Sequence, residues 1–188
     1  MRLVRDGREP TQEDVTPLDF EECASGPWSI KHEYHVGRRF RFHMLMRGPW
    51  VLDDDLPLRQ KAVDTAVAAL PDGKVLVLGI GIGYAVKALL RYPGVEHVRV
   101  VEQSEQLIRM VEQQFTGEDS ERLTIVCADE VNYLEHAIAT GGHWDAALIG
   151  PTAAGAGREK IETYALHYLL GKCVLGRSKN KVKEAFRS

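Results

Sequence analysis

Residues 74–84 read Lys74-Val-Leu-Val-Leu-Gly-Ile-Gly-Ile-Gly-Tyr84, and this stretch decides the fold. Its unbroken apolar run, Val75 to Leu78, describes a strand buried on both faces, as strands of a parallel sheet are. Gly79, Gly81 and Gly83 then alternate with isoleucine. They let the chain turn sharply and let its backbone come close to a ligand. Tyr84, Val86, Leu89 and Leu90 follow at helical spacing. The loop therefore opens onto a helix N-terminus at the carboxyl edge of an open α/β sheet.

A second strand, Val98-Arg-Val-Val-Glu102, follows the helix and ends in a carboxylate about 20 residues past the glycines. A carboxylate at that tip accepts two hydrogen bonds from the vicinal hydroxyls of a ribose, and strand, helix and strand together make one βαβ unit. The dinucleotide fingerprint G-x-G-x-x-G/A needs a small third residue where helix packs on strand. Tyr84 stands there instead, the spacing is G-x-G-x-G, and nothing basic marks a pyrophosphate site. The loop suits a ribose-bearing ligand without a diphosphate, of which S-adenosylmethionine is the obvious candidate. Arg122-Leu-Thr-Ile-Val-Cys-Ala-Asp129 reads as a third strand. Its terminal acid can accept from an adenine amino group, and can equally cap the helix that begins at Glu130. His143-Trp-Asp-Ala-Ala-Leu-Ile-Gly150 is a fourth strand, ended by Gly150-Pro151. The candidate cofactor-binding residues are Gly79, Gly81, Gly83, Glu102, Gln103, Asp129, Glu130 and Gly150.

In this order of motifs the chain resembles the class I S-adenosylmethionine-dependent methyltransferases and, more closely, the spermidine synthase (aminopropyltransferase) family. The likeness covers roughly residues 48 to 150. It runs through the glycine loop, Tyr92-Pro93-Gly94-Val95-Glu96, Val100-Val101-Glu102, Ala128-Asp129 and Trp144-Asp-Ala-Ala-Leu-Ile149. It implies a Rossmann-like α/β sheet and S-adenosylmethionine or its decarboxylated form as cofactor. It also implies that Gly48-Pro-Trp-Val-Leu-Asp53 is a hairpin leading into the first helix, and that Gln60 lines the cofactor site; on its own, Gln60 reads as a helix-surface glutamine. The family carries an acidic Asp-x-x-Asp type segment after the fourth strand, where this chain has Ile149-Gly-Pro-Thr-Ala-Ala-Gly-Ala-Gly157, with no acid. The expected activity is therefore methyl transfer to a small molecule, which proceeds by positioning and desolvation without a fixed catalytic acid. Aminopropyl transfer, and an adenosyl-binding protein without transfer chemistry, are the alternatives. No residue stands out as a general base.

Composition bounds the rest. With 188 residues and 44% hydrophobic content, the chain suits one α/β domain with a small appendage. The expected division is an N-terminal arm and β-hairpin over 1–56, a Rossmann-like domain over 57–175, shortened at its C-terminal side, and a basic tail over 176–188. The net charge of −3 carries no nucleic-acid footprint. Three separated cysteines, Cys23, Cys127 and Cys173, fit reduced thiols in a cytoplasmic protein. No apolar run resembles a signal peptide or spans a membrane. No metal is expected, because His32, His35 and His43 have no cysteine or added carboxylate placed with them. A sheet with only five strands leaves an edge uncovered, so a homo-oligomer is expected.

Further expectations concern individual elements. Trp28, Ile30, His32 and Tyr34 alternate on one face of a hairpin strand, and Phe40, Phe42, Met44 and Met46 on the other strand, with the turn at Gly37-Arg38. Asp55 caps a helix with Pro57 in its first turn. The apolar face of that helix is Leu58, Ala62, Val63, Ala66, Val67 and Leu70. Asp53-Asp54-Asp55 complements the helix dipole. Later helices start at Ser104, near Glu130 and at Arg158.

Overall fold

The computed structural model describes residues 18, 20–35, 40–153 and 170–175. The arm up to residue 17, the turn at 37–38, residues 158–169 of the helix expected from Arg158 to Leu170 and the tail from 176 lie outside the described residues; Leu170 itself begins a strand.

The chain opens with four antiparallel strands, β1 (Cys23–Ser25), β2 (Trp28–His35), β3 (Phe40–Arg47) and β4 (Trp50–Asp54), paired in that order. Helix α1 (Pro57–Ala68) leads to β5 (Gly73–Leu78), the apolar strand before the glycine loop. There follow α2 (Tyr84–Arg91), β6 (Val95–Glu102), α3 (Glu105–Val111), the short α4 (Glu118–Glu121), β7 (Leu123–Cys127), α5 (Glu130–Ala139), β8 (Trp144–Ile149) and β9 (Leu170–Leu175). The last five strands form one parallel sheet in the order β7-β6-β5-β8-β9. The order reverses beside β5, so the crevice above β5 and β8 is the topological switch point where ligands of such sheets bind. No helix among the described residues is long and apolar enough to cross a membrane.

Side chains alternate between two cores, as strand geometry requires. Val75 and Val77 join Val98, Val100, Ala146 and Leu148 on the face covered by α1, α2 and α3. Leu76 and Leu78 join Val101, Ala147 and Ile149 on the face covered by Leu134 and Ala137 of α5. The N-terminal sheet shares the first core through Trp28, Ile30 and Leu45.

Several expectations are corrected here. The N-terminal region is a four-stranded sheet, larger than a hairpin. In β3 the buried residue is Leu45, fully inaccessible, while Phe42, Met44 and Met46 are half-buried. Pairing decides this: Ile30 stands opposite Leu45 and His32 opposite His43, so the aromatic and methionine stripe falls on the outer face. Tyr34 is half exposed at the strand's far end. In α1, Leu58 is exposed and Gln60 is buried. Asp55 does not cap α1, whose N-cap position is Leu56 with no side-chain cap bond. Its carboxylate accepts instead from the His43 backbone N–H (2.5 Å) and ring Nδ1 (2.7 Å), tying β4 to β3. Asp54 is the member of the triplet near the helix start, accepting from Leu56 N–H (3.2 Å) and lying against Arg59. The two later helix starts that are described agree with expectation: Ser104 accepts from Leu107 N–H (3.3 Å) and Asp129 from Asn132 N–H (2.9 Å).

Because Leu45 packs both sheets into one core, Leu45→Ala is expected to cost about 2–5 kcal/mol and to leave a single cooperative transition. Urea unfolding followed by tryptophan fluorescence and far-UV dichroism checks this; two separated transitions would mean that the sheets fold independently.

Candidate functional site

The glycine loop turns through three left-handed residues, Gly79 at φ 81°, Gly81 at φ 58° and Gly83 at φ 86°. This conformation leaves its amides pointing inward in succession, a donor-rich concavity. Each of three successive amides is met by a side chain of this protein. Ile80 N–H donates to Glu102 Oε2 (3.1 Å), Gly81 N–H to Thr152 Oγ1 (3.0 Å) and Ile82 N–H to Asp53 Oδ2 (2.9 Å).

Glu102 sits at the tip of β6, as expected, and is 1% exposed. Its carboxylate is fully engaged within the protein: Oε1 accepts from Ser104 N–H (2.9 Å), and Oε2 accepts from the Thr152 hydroxyl (2.8 Å) as well as from Ile80. The segment after β8 delivers that hydroxyl. Gly150 N–H donates to Leu78 O (2.7 Å), and a Cβ on Gly150 would strike the Gly79 carbonyl. A Cβ on Gly79 would strike the Ala153 backbone, and one on Gly81 would come within 2.5 Å of Asp53 Oδ2. The glycines thus admit the protein's own chain, a closeness that the sequence assigned to a ligand.

Asp53 was assigned to the helix dipole by its position; it is instead a buried partner of the loop. Burial raises its pKa to about 6, against the opposing pull of the Ile82 N–H and of Arg59. Nothing in the sequence marked it beyond the triplet of acids. Gln60 is not a surface residue either: its Nε2 donates to Asp55 O (2.9 Å), so it braces the turn that carries Asp53.

The remaining candidates lie around the same strand tips. Gln103 follows Glu102 and is exposed, as is Asp129, whose carboxylate serves the α5 cap. Glu130 is buried, and among the described residues neither of its carboxylate oxygens has a hydrogen-bond partner. Its pKa is raised to about 7, chiefly by burial and also by the charges of Glu102 and Asp129, against the opposing pull of nearby backbone amides. The glycines, Glu102, Gln103 and Gly150 meet at the switch point, and Asp129 and Glu130 flank it.

Beside the loop lies a cleft of about 830 Å³. One half of its lining comes from these tips, Glu102, Gln103, Ser104, Thr152 and Ala153; the other half comes from the N-terminal sheet, including Trp28, Arg47 and Trp50. The volume is within the range of small-molecule sites. Glu102 and Thr152 both line it, joined by the hydrogen bond from the Thr152 hydroxyl to Glu102 Oε2 (2.8 Å).

Solved structures similar to this fold include the crystal structure of spermidine synthase from Thermotoga maritima, with a TM-score of 0.60 and 19% identity, covering 82% of this chain. A spermidine synthase in complex with the transition-state analogue AdoDATO has a TM-score of 0.57 and 19% identity, covering 80%. This chain spans about half the length of both, 55% and 54%. At that identity the likeness is one of fold. No protein-family model matches the sequence, and no curated protein does.

The raised carboxylates make stability depend on pH. A folded-state pKa above the unfolded value means that the stability present below pH 4 is lost as pH rises through the folded pKa. Glu130 contributes such a loss up to about pH 7, and Asp53 up to about pH 6. Glu130→Gln is expected to leave stability at pH 4 nearly unchanged and to raise it at pH 8 by roughly 2–3 kcal/mol. Urea midpoints measured from pH 4 to 8 check this; equal slopes for both proteins would contradict it.

Proposed function

We propose that the crevice above β5 and β8 binds an adenosyl sulfonium, S-adenosylmethionine or its decarboxylated form, and that the protein transfers an alkyl group from it to a small molecule held in the adjoining cleft. The observation that carries this reading is Glu102, a carboxylate at the second strand tip lying against a left-handed glycine loop and lining the cleft. In such a site Glu102 exchanges the Thr152 hydroxyl for ribose hydroxyls. Gly79, Gly81 and Gly83 admit the sugar and amino-acid tail, and Gln103, Asp129, Glu130 and Gly150 surround the adenosine. Gln60 contributes indirectly, through the turn that bears Asp53.

Methyl transfer is the form we favour. In that step the acceptor's lone pair forms the new bond to carbon, the carbon–sulfur pair stays on sulfur, and the acceptor's proton passes to solvent. It needs alignment and a dry cleft more than a dedicated base. Aminopropyl transfer is the second reading, favoured by the likeness in fold to spermidine synthase. Against it stands the segment Gly150–Ala153, which brings a hydroxyl to the loop where an amine-binding acid would be required. A third reading, a binding protein without transfer chemistry, draws on the full internal satisfaction of Glu102.

Calorimetry with S-adenosylmethionine, its decarboxylated form, methylthioadenosine and NAD in parallel tests the ligand class; a preference for NAD would sink the proposal. Glu102→Ala is expected to weaken adenosyl binding at least about tenfold, since charge-assisted bonds are worth on the order of 1.5–3 kcal/mol. Thr152→Ala should act in the opposite direction. It removes the hydroxyl that competes for Glu102 and for Gly81 N–H, so binding should tighten by about threefold or more, a gain of ~0.7 kcal/mol against a typical net hydrogen bond. Weaker binding in a folded Thr152→Ala protein would place that hydroxyl among the ligand's partners.

A further inference from the structure

The N-terminal sheet contributes to the cleft a row of three side chains that the adenosyl site does not use. Trp28 stands opposite Arg47 across β2 and β3, and Arg47 stands opposite Trp50 across β3 and β4. Directly paired residues in antiparallel strands share a face, so the three form one line, Trp–Arg–Trp, across the sheet. That face is the inner one, since Ile30 and Leu45, two residues further along, lie in the core. The line therefore ends at the mouth of the cleft, and all three residues line it.

Their states differ in a way that suits binding. Trp28 is 7% exposed and serves as a fixed floor. The Arg47 guanidinium lies over its ring, 5.4 Å from the centre, within cation–π range. Trp50 is 73% exposed, the most exposed of the large hydrophobic side chains among the described residues. An exposed indole at the rim of a cleft offers a large, rigid face to a ligand's ring.

Charge then selects the ligand. Among the described residues lining the cleft only Arg47 and Glu102 are charged, and both oxygens of Glu102 accept from donors within the protein. No carboxylate among the described residues pairs with Arg47. The charge the cleft offers a ligand is positive, and it is carried by a planar group suited to bidentate contact with a carboxylate.

We propose that this half of the cleft binds a flat, anionic small molecule, an aromatic or conjugated carboxylate, with its ring against the exposed Trp50 and its carboxylate on Arg47, which lies over Trp28. This names the acceptor class of the transferase proposed above and rests on that reading. It is the opposite of a polyamine, whose ammonium groups would face the guanidinium.

Benzoate and benzylamine, alike in shape and opposite in charge, are the probes, titrated without cofactor and followed by the three indole N–H resonances in a proton–nitrogen NMR spectrum. Trp144 is the internal control, since it packs beside Tyr133 in the other core. Benzoate should move the Trp28 and Trp50 signals saturably and leave Trp144 in place, and benzylamine should bind at least tenfold more weakly. Arg47→Gln should weaken benzoate at least tenfold and remove its advantage, with an unchanged Trp144 signal reporting an intact fold. The idea is overturned by equal or tighter binding of benzylamine, by benzoate that moves neither signal, or by a folded Arg47→Gln protein that binds benzoate as before. Adenosyl calorimetry on the same samples separates the two proposals. Intact adenosyl binding with no benzoate binding removes the acceptor class alone; the converse removes the cofactor reading and leaves the carboxylate site standing.

Discussion

The Glu102 carboxylate is the point on which this structure turns. Four parts of the chain meet there: the β6 tip that carries it, the glycine loop through Ile80, the start of α3 through Ser104, and the segment after β8 through Thr152. A buried anion is tolerated only when donors surround it, and three donors do so here. The same arrangement sets the position of every other group in the crevice. Thr152 reaches Gly81 because it is held by Glu102, and Gly150 presses on Gly79 because the segment that follows must cross the loop. The strand tip fixes the loop, and the loop in turn admits Asp53 from the N-terminal sheet.

How much of this was legible beforehand follows from the range of each signal. The run Val75–Leu78, the three glycines and the caps Ser104 and Asp129 are local, and the sequence displays them directly. The apolar faces of α3 and α5 obey a short period and were equally readable. What failed depends on pairing between distant segments. Whether β3 turns Leu45 or its methionines inward is decided by its register against β2. Asp53, Asp54 and Asp55 are indistinguishable as letters, yet one meets the glycine loop, one the start of α1 and one His43. Gln60 reads as a surface residue until the turn it braces is seen. Glu102 stands at the strand tip where the sequence puts a carboxylate, but one of its partners is Thr152, fifty positions away, and no pattern in the sequence announces it.

Three acids, Asp53, Glu102 and Glu130, are buried around one crevice, and they are held in different ways. Glu102 has donors on both oxygens. Asp53 has the Ile82 amide and Arg59 nearby, and burial still outweighs them. Glu130 has no partner among the described residues and is pushed up to about 7. A fold gains nothing in stability from an unsatisfied buried carboxyl. Such a group is retained at functional sites more often than elsewhere, and a neutral carboxylic acid offers both a donor and an acceptor to a heterocycle beside it. Its place at the N-terminus of α5, next to the tip that bears Asp129, is where the adenine of the proposed ligand would lie.

The likeness to the solved spermidine synthase structures is one of fold. It says little about the acceptor, because acceptor chemistry is set by side chains grafted onto the rim. On this chain the rim after β8 carries Pro151, Thr152 and Ala153, none of them acidic, and the N-terminal sheet contributes tryptophan, arginine and tryptophan. Both changes act in the same direction. Removing carboxylates lowers the affinity of a cleft for cations, and adding a guanidinium over an indole raises its affinity for planar anions. A single substitution of either kind would be a weak argument. Two independent segments, one on each side of the cleft, act in the same sense, and both favour the anionic acceptor proposed above.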